Sequence, residues 1–264
     1  MSSVRNLGGT FLLLGVLFAQ EGTKFGVRLA PALGFFRVDS GGRTPKALSG
    51  AGAFSFGGGL MLSFGFSDNV SLLLGAGVNT VGGNLSFKEG YGIKGKIAAN
   101  NADTVIRLNA QAIGDAKYRA TTVNVPVFIK MRTNLLGSTP IRAKAMLGGN
   151  VDVRVGSSIR ASKAILSADF IDQERMTGKV AADHILPFFA YAGAGAGVDV
   201  ELEGVGTIDF TIIYNHGLTN VINKDFKFNF KDSANREYKD LKPYQDLRAR
   251  ASNLQFQLIF WFGS

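Results

Sequence analysis

The sequence predicts an all-β fold, an eight-stranded antiparallel up-and-down transmembrane β-barrel with long extracellular loops and short periplasmic turns. Three observations predict it. Apolar residues alternate with polar or small ones in eight separate runs, and the connections between the runs alternate short and long. Past the N-terminal segment, no stretch supplies the roughly 18 consecutive apolar residues that a membrane helix needs. Composition agrees: the 264 residues include 34 Gly and 21 Phe, carry a net charge of +9 and contain no Cys. Without disulfides, a chain of this size must be held by a core or by a sheet closed on itself.

Residues 1–20 read as a secretory signal peptide, with Arg5 in the charged region, Phe11 to Phe18 as the short apolar stretch and Ala19 as the small residue for cleavage. Residues 21–264 then form one barrel domain. Export followed by cleavage places it in the outer membrane of a Gram-negative bacterium.

The runs follow in order. Phe25, Val27, Leu29, Leu33 and Phe35 mark the first, Phe54 to Phe66 the second and Val70 to Val78 the third. Their opposite faces carry mostly Gly, Ala and Ser. The fourth is sharper: Thr121, Val123, Val125, Val127, Ile129 and Met131 alternate with Thr122, Asn124, Lys130 and Arg132. Pro126 lies inside it, and because proline has no N–H for the ladder, a local bulge is expected there. In the fifth, Ile141 to Val155 alternate with Arg142, Lys144, Asn150, Asp152 and Arg154. Ala190 to Leu202 makes the sixth, Ile208 to Tyr214 the seventh and Leu254 to Phe262 the eighth.

The connections decide between a soluble barrel and a membrane one. About a dozen residues separate the first two runs, Ser67-Asp68-Asn69 the next two, and loops of roughly thirty residues then alternate with the short Asn134–Thr139 and Glu203–Gly206. Short turns at one rim and long loops at the other are the pattern of transmembrane barrels. Both termini then lie at the short-turn rim. Eight strands enclose a bore that side chains fill, which disfavours an open porin.

Three strands carry a family resemblance. Val123-Asn-Val-Pro-Val-Phe-Ile-Lys130, Ala145-Met-Leu-Gly-Gly-Asn-Val151 and Asp209-Phe-Thr-Ile-Ile-Tyr-Asn-His-Gly-Leu-Thr-Asn220 resemble strands of the PorT-type outer-membrane β-barrel proteins of Bacteroidota. The chain departs from that family in ending Phe260-Trp-Phe-Gly-Ser264. The resemblance implies an accessory barrel, in some members serving type IX secretion, and names no site residue.

Chemistry is sparse. His184 and His216 are the only histidines, neither in a nucleophile motif, and with no Cys and no acidic calcium-loop spacing no metal or other cofactor is expected. Gly193-Ala-Gly-Ala-Gly197 lacks the Lys-Ser/Thr and helix of a phosphate loop and reads as a strand with small residues toward a crowded lumen. The protein is therefore expected not to be an enzyme. The rival readings are a small lipid-modifying or proteolytic barrel, which needs a histidine beside an acid and a nucleophile, and a narrow channel, which needs a continuous wet lumen.

One constellation stands out. On the strand directions given, Arg28, Lys130, Arg132, Arg142 and Lys144 gather on the lumen side near the periplasmic rim, with Glu201 and Asp209 at the same level. They form either an ionic plug or a basic face for an acidic partner or a lipid phosphate. The last loop, Ile222 to Arg250, mixes Lys and Arg with Phe226, Phe228, Phe230, Tyr238 and Tyr244 and reads as strands extended above the membrane. Expected partners are outer-membrane lipids including lipopolysaccharide, and other envelope or secretion proteins. Nucleic acid is not among them.

Overall fold

The computed structural model describes residues 22–38, 48–87, 92–97, 103–107, 115–161, 175–177, 179–223, 228–231, 237–243 and 248–262. The signal-peptide expectation for residues 1–20 lies outside them. In chain order the described elements are β1 (Thr23–Val38), β2 (Leu48–Ser67), β3 (Val70–Phe87), β4 (Gly92–Ile97), β5 (Asp103–Arg107), β6 (Asp115–Arg132) and β7 (Ile141–Ala161). There follow β8 (Arg175–Thr177), the helix α1 (Lys179–His184), β9 (Phe188–Leu202), β10 (Gly206–Gly217), β11 (Phe228–Lys231), β12 (Glu237–Pro243) and β13 (Ala249–Phe262).

Strands β1, β2, β3, β6, β7, β9, β10 and β13 form a closed antiparallel ring of eight. Its seam is β1 against β13, paired from Phe25↔Phe262 to Val38↔Ala249. Three short turns join strands at one rim. Ser67 Oγ accepts the N–H groups of Asn69 and Val70 in the first, and Gly137 (φ 64) and Gly204 (φ 70) supply left-handed positions in the other two.

The two faces are divided as the alternation implies, but for the lower part of the barrel only. Outward positions there are apolar and exposed: Val123, Val125, Val127, Ile129 and Met131 on β6 are each 42–47 % exposed, and Leu33, Phe56, Leu60, Val153, Phe210 and Phe256 continue the belt. A continuous apolar surface around a barrel is a liability in water and what hydrocarbon requires. Aromatic rings edge it. Phe25 and Phe260 pack on Phe262 at the short-turn end, with ring centroids 5.8 and 4.8 Å apart, and Phe35 stacks on Tyr214 at the other end at 6.5 Å.

Toward the long-loop rim the polarity inverts. On β6 the outward residues become Asp115, Lys117 and Arg119, while Ala116, Tyr118 and Ala120 are buried inside. On β3, Val81 and Leu85 turn inward. A second apolar core fills this end, in which Phe36, Leu85, Tyr118, Ile159 and Phe189 pack with the loop residues Ile185, Val221 and Ile222. The loops thus close the mouth: Ile185 bridges to Ile222, and α1 is tied down where Arg154 Nη1 donates to the Ala182 carbonyl at 2.7 Å.

Two expectations are corrected. No bulge occurs at Pro126. Toward β7 its register is continuous through Val125↔Val151, Pro126↔Asn150 and Val127↔Gly149, and toward β3 the paired register resumes unshifted on either side of it. The reason is Gly75, where an added Cβ would meet the Pro126 ring at 2.9 Å, so a residue without a side chain opposite takes up the proline. The β6–β7 irregularity sits instead at Thr121/Thr122, close to the height at which polarity inverts.

The long loops also hold more structure than expected. The hairpin β4–β5 from one loop and β11–β12 from another join as a separate four-stranded sheet in the order β11-β12-β4-β5. Phe228 and Phe230 do lie in a strand, yet it pairs with β12 and does not continue β10. Phe226 and Lys227 lie outside the described residues.

Val125→Arg is expected to cost about 2–4 kcal/mol when the barrel is unfolded from lipid vesicles by urea. Thr121→Arg, two outward positions nearer the polar skirt, is expected to change stability by about 0.5 kcal/mol or less. Equal effects of the two would refute a lipid belt at this height.

Candidate functional site

The lumen at the short-turn end is where charged side chains converge. Lys130 on β6, Lys144 on β7, Asp199 on β9 and Asp209 on β10 point inward and are almost wholly removed from solvent. Asp199 and Asp209 are register partners across β9 and β10, so two carboxylates face each other directly. Unopposed, that pair would be repulsive. Lys144 Nζ contacts both, lying 2.7 Å from Asp199 Oδ1, and Lys130 Nζ lies 3.2 Å from Asp199 Oδ2 and 3.9 Å from Asp209 Oδ2.

Remaining valences are filled locally. Thr211 Oγ1 donates to Asp209 Oδ1 at 2.8 Å, and Lys130 stands 5.4 Å from the centroid of the fully buried Trp261 ring. Two lysines and two aspartates make the square neutral. Above it Met61, Leu73, Phe128, Met146, Ile213 and Ile259 form an apolar layer.

Amides, and one Arg–Asn–Asp chain, link the strands higher up. Arg28 Nη2 donates to Asn124 Oδ1 at 2.6 Å, and Asn124 in turn donates to Asp152. Asn150 donates to Asn215, which donates to Asn253 and Gln255. Ionic, apolar and amide side chains, then the upper core, occupy the lumen along its length. The glycine-rich stretch of β9 fits this crowding: a Cβ at Gly193 would strike the Phe128 ring at 3.0 Å.

Below the square the rim is cationic. Arg142 Nε donates to Glu201 Oε1 at 2.7 Å, Arg132 Nη1 lies 3.8 Å from the same oxygen, and Arg132 Nε donates to the Asp68 carbonyl. Beside Arg132 a cavity of about 350 Å³ opens at the rim, lined by Lys24, Lys130 and Arg132 against the single carboxylate of Asp68, with Ser63, Ser67 and Ser71 supplying hydroxyls. Three cations and three hydroxyls around such a vestibule can hold a phosphate or carboxylate group.

Of the expected basic cluster, the structure joins Lys130 to Lys144 through the aspartates and Arg132 to Arg142 through Glu201. Arg28 does not belong. It is bound to Asn124, three inward positions up β6 from Lys130, because β1 enters the barrel below it with Lys24 at the rim instead. The sequence reading passed over three members of the site. Asp199 has the same inward parity as Glu201, and that parity is a signal for it. Lys24 stands one residue before the first apolar run at Phe25, outside its alternation, and nothing local marks Trp261 as a cap on an ion pair.

The histidines lie at the other end. His216 faces outward beside Tyr214, and Arg37 Nη1 lies 2.8 Å from its Nε2. His184 ends α1 and packs edge-on against Tyr118 at 5.3 Å. Burial of its ring drives its pKa down to about 4.

Lys144→Met leaves the facing carboxylates short of a counter-charge and is expected to cost about 3–5 kcal/mol in equilibrium unfolding. Adding Asp209→Asn to it, which leaves Lys130 paired with Asp199 alone, should recover most of that loss. For His184 the folded pKa lies below the unfolded value of roughly 6.5, so its stabilisation is complete above that pH and fades as pH falls toward 4. Hydrogen-exchange protection factors, corrected for the intrinsic rate at each pH, are expected to fall around His184 in residues 179–187 and 218–223 between pH 7 and pH 5, and His184→Phe should flatten that dependence.

No family model matches the chain, and no curated protein does. Among solved structures it is similar to the outer membrane protein OprG of Pseudomonas aeruginosa, at 11% identity and a TM-score of 0.39, with 90% of this chain and 96% of that one covered. It is similar also to Neisserial surface protein A, at 10% identity, a TM-score of 0.36 and coverages of 91% and 99%. The attachment invasion locus protein Ail of Yersinia pestis gives 12% identity, a TM-score of 0.31 and coverages of 92% and 100%. The likeness is one of barrel architecture.

Proposed function

We propose that this protein is an outer-membrane barrel that works by binding, as a non-enzymatic interaction or accessory component. Its short turns face the periplasm and its long loops the exterior. The observation that carries this reading is the filled lumen: an ionic square, an apolar layer, an amide network and an upper core follow one another across the bore. Such an interior favours a role carried by the surfaces of the barrel. The functional surfaces are then the two rims.

At the periplasmic rim, the vestibule formed by Lys24, Lys130 and Arg132 suits an acidic segment of an envelope protein. Service to a protein-secretion machine is the finer form of the reading, supported by the PorT-type resemblance of the fourth, fifth and seventh barrel strands. Lipopolysaccharide is the lipid that the exterior end would meet.

The chain has no cysteine, so single cysteines report orientation cleanly. In intact cells, Asp183→Cys is expected to react with an impermeant maleimide and Leu135→Cys in the β6–β7 turn is not. A photo-crosslinking residue at position 24 is expected to yield a discrete adduct in cells, lost on Arg132→Glu, and the purified barrel is expected to give no conductance in planar bilayers. Monomer alone after irradiation, or steady single-channel currents, would overturn the proposal.

A further inference from the structure

The outer wall carries a second basic site, unconnected with the vestibule. On β6 and β7, Lys117 pairs with Arg160 and Arg119 pairs with Ser158, all with side chains on the outward face. Lys117 and Arg160 therefore stand directly opposite each other in one row, about 4.8 Å from strand to strand. Like charges directly opposite one another on a sheet repel. Among the described residues no carboxylate is paired with Lys117, Arg119 or Arg160, and Asp115 stands one outward position further up β6. A cleft of about 320 Å³ opens between Lys117, Arg119, Ser158 and Arg160.

The height of this cleft indicates its occupant. Directly below it on the same face of β6 come Thr121 and then Val123, Val125 and Val127, and on β7 Val155, Val153 and Val151, all exposed. The cations thus begin where the apolar belt ends, at the level of the headgroups of the leaflet that the belt contacts. On the β3 side the register partners of Arg119 and Lys117 are Gly82 and Asn84, which are small and uncharged and leave the row open to the membrane.

We propose that Lys117, Arg119 and Arg160 bind the phosphate of a phosphorylated glycolipid, the lipid A moiety of lipopolysaccharide, whose acyl chains lie along the valines of β6 and β7. A dianionic phosphate between two strands would turn the repulsion of the row into attraction, with the Ser158 hydroxyl as a further donor. The assignment of lipid A rests on the proposed orientation, with this end toward the outer leaflet.

The test uses the whole barrel purified in detergent, with bisphosphorylated lipid A, dephosphorylated lipid A and inorganic phosphate as probes in native mass spectrometry. The wild type is expected to hold bisphosphorylated lipid A, and K117Q/R119Q/R160Q to bind it on the order of a hundredfold more weakly. Dephosphorylated lipid A should bind the wild type as weakly as the variant binds the bisphosphate. Inorganic phosphate at equal concentration should displace nothing. R250Q, which removes an exposed cation from another part of the same rim, should retain full affinity, and heat-modifiable migration on gels verifies that each variant is folded.

Unchanged affinity in the triple variant, indifference to the phosphates, displacement by inorganic phosphate, or an equal loss in R250Q would each overturn the site. Maleimide labelling at Asp183→Cys fails independently of binding. Inverted labelling with intact lipid A binding would overturn the orientation, and with it lipid A as the occupant, while leaving the phosphate chemistry of the cleft in place.

Discussion

The hydrogen-bonded seam between β1 and β13 is the constraint from which the other features descend. In hydrocarbon an unpaired N–H or C=O costs several kcal/mol, so a sheet that crosses a bilayer has no tolerable edge and must join its first strand to its last. Closing the ring at eight strands fixes its girth. The bore that results is about as wide as the side chains projecting into it. Whatever the sequence directs inward is thereby removed from water and obliged to find partners among the other inward residues.

That obligation explains the order of the layers. Charged groups sit nearest the short-turn rim, where Lys130 and Lys144 offset two carboxylates forced together by the β9–β10 register, with Trp261 closing one side. Amides take the middle, together with Arg28 and Asp152, whose opposite charges are joined through Asn124. At the short-turn rim, where water re-enters, cations are left in excess of acids. The basic vestibule is therefore the part of the charged interior that solvation relieves of the need to balance.

The lower half of the barrel was legible in the sequence because its alternation is a contrast between lipid and lumen, and the fourth and fifth runs display it without ambiguity. The upper half was not. Past Val78 on β3 the apolar residues Val81 and Leu85 belong to the opposite parity from Val70 to Val78, so the pattern looks like an ended strand when only its surroundings have changed. The proline of β6 misled for a related reason: its accommodation depends on Gly75, fifty-one positions away. The ionic square was half legible, since parity places Lys130, Lys144 and the acids on one face. Strand stagger, which decides which of them meet, separates Arg28 from the rest and is not written in any local pattern.

The inversion of polarity has a bearing on how the molecule comes to be where it is. Asp115, Lys117, Arg119 and Arg160 stand on the outside of the finished wall, beyond the belt. If they enter from the side of the short turns, these charges must be carried through the hydrocarbon before they reach the far headgroups. A strand crossing alone would drag them through unshielded. A nascent sheet whose upper core of Phe36, Leu85, Tyr118 and Ile159 has already gathered would present them as one compact polar tip, so collapse of that core and passage of the bilayer become a single event.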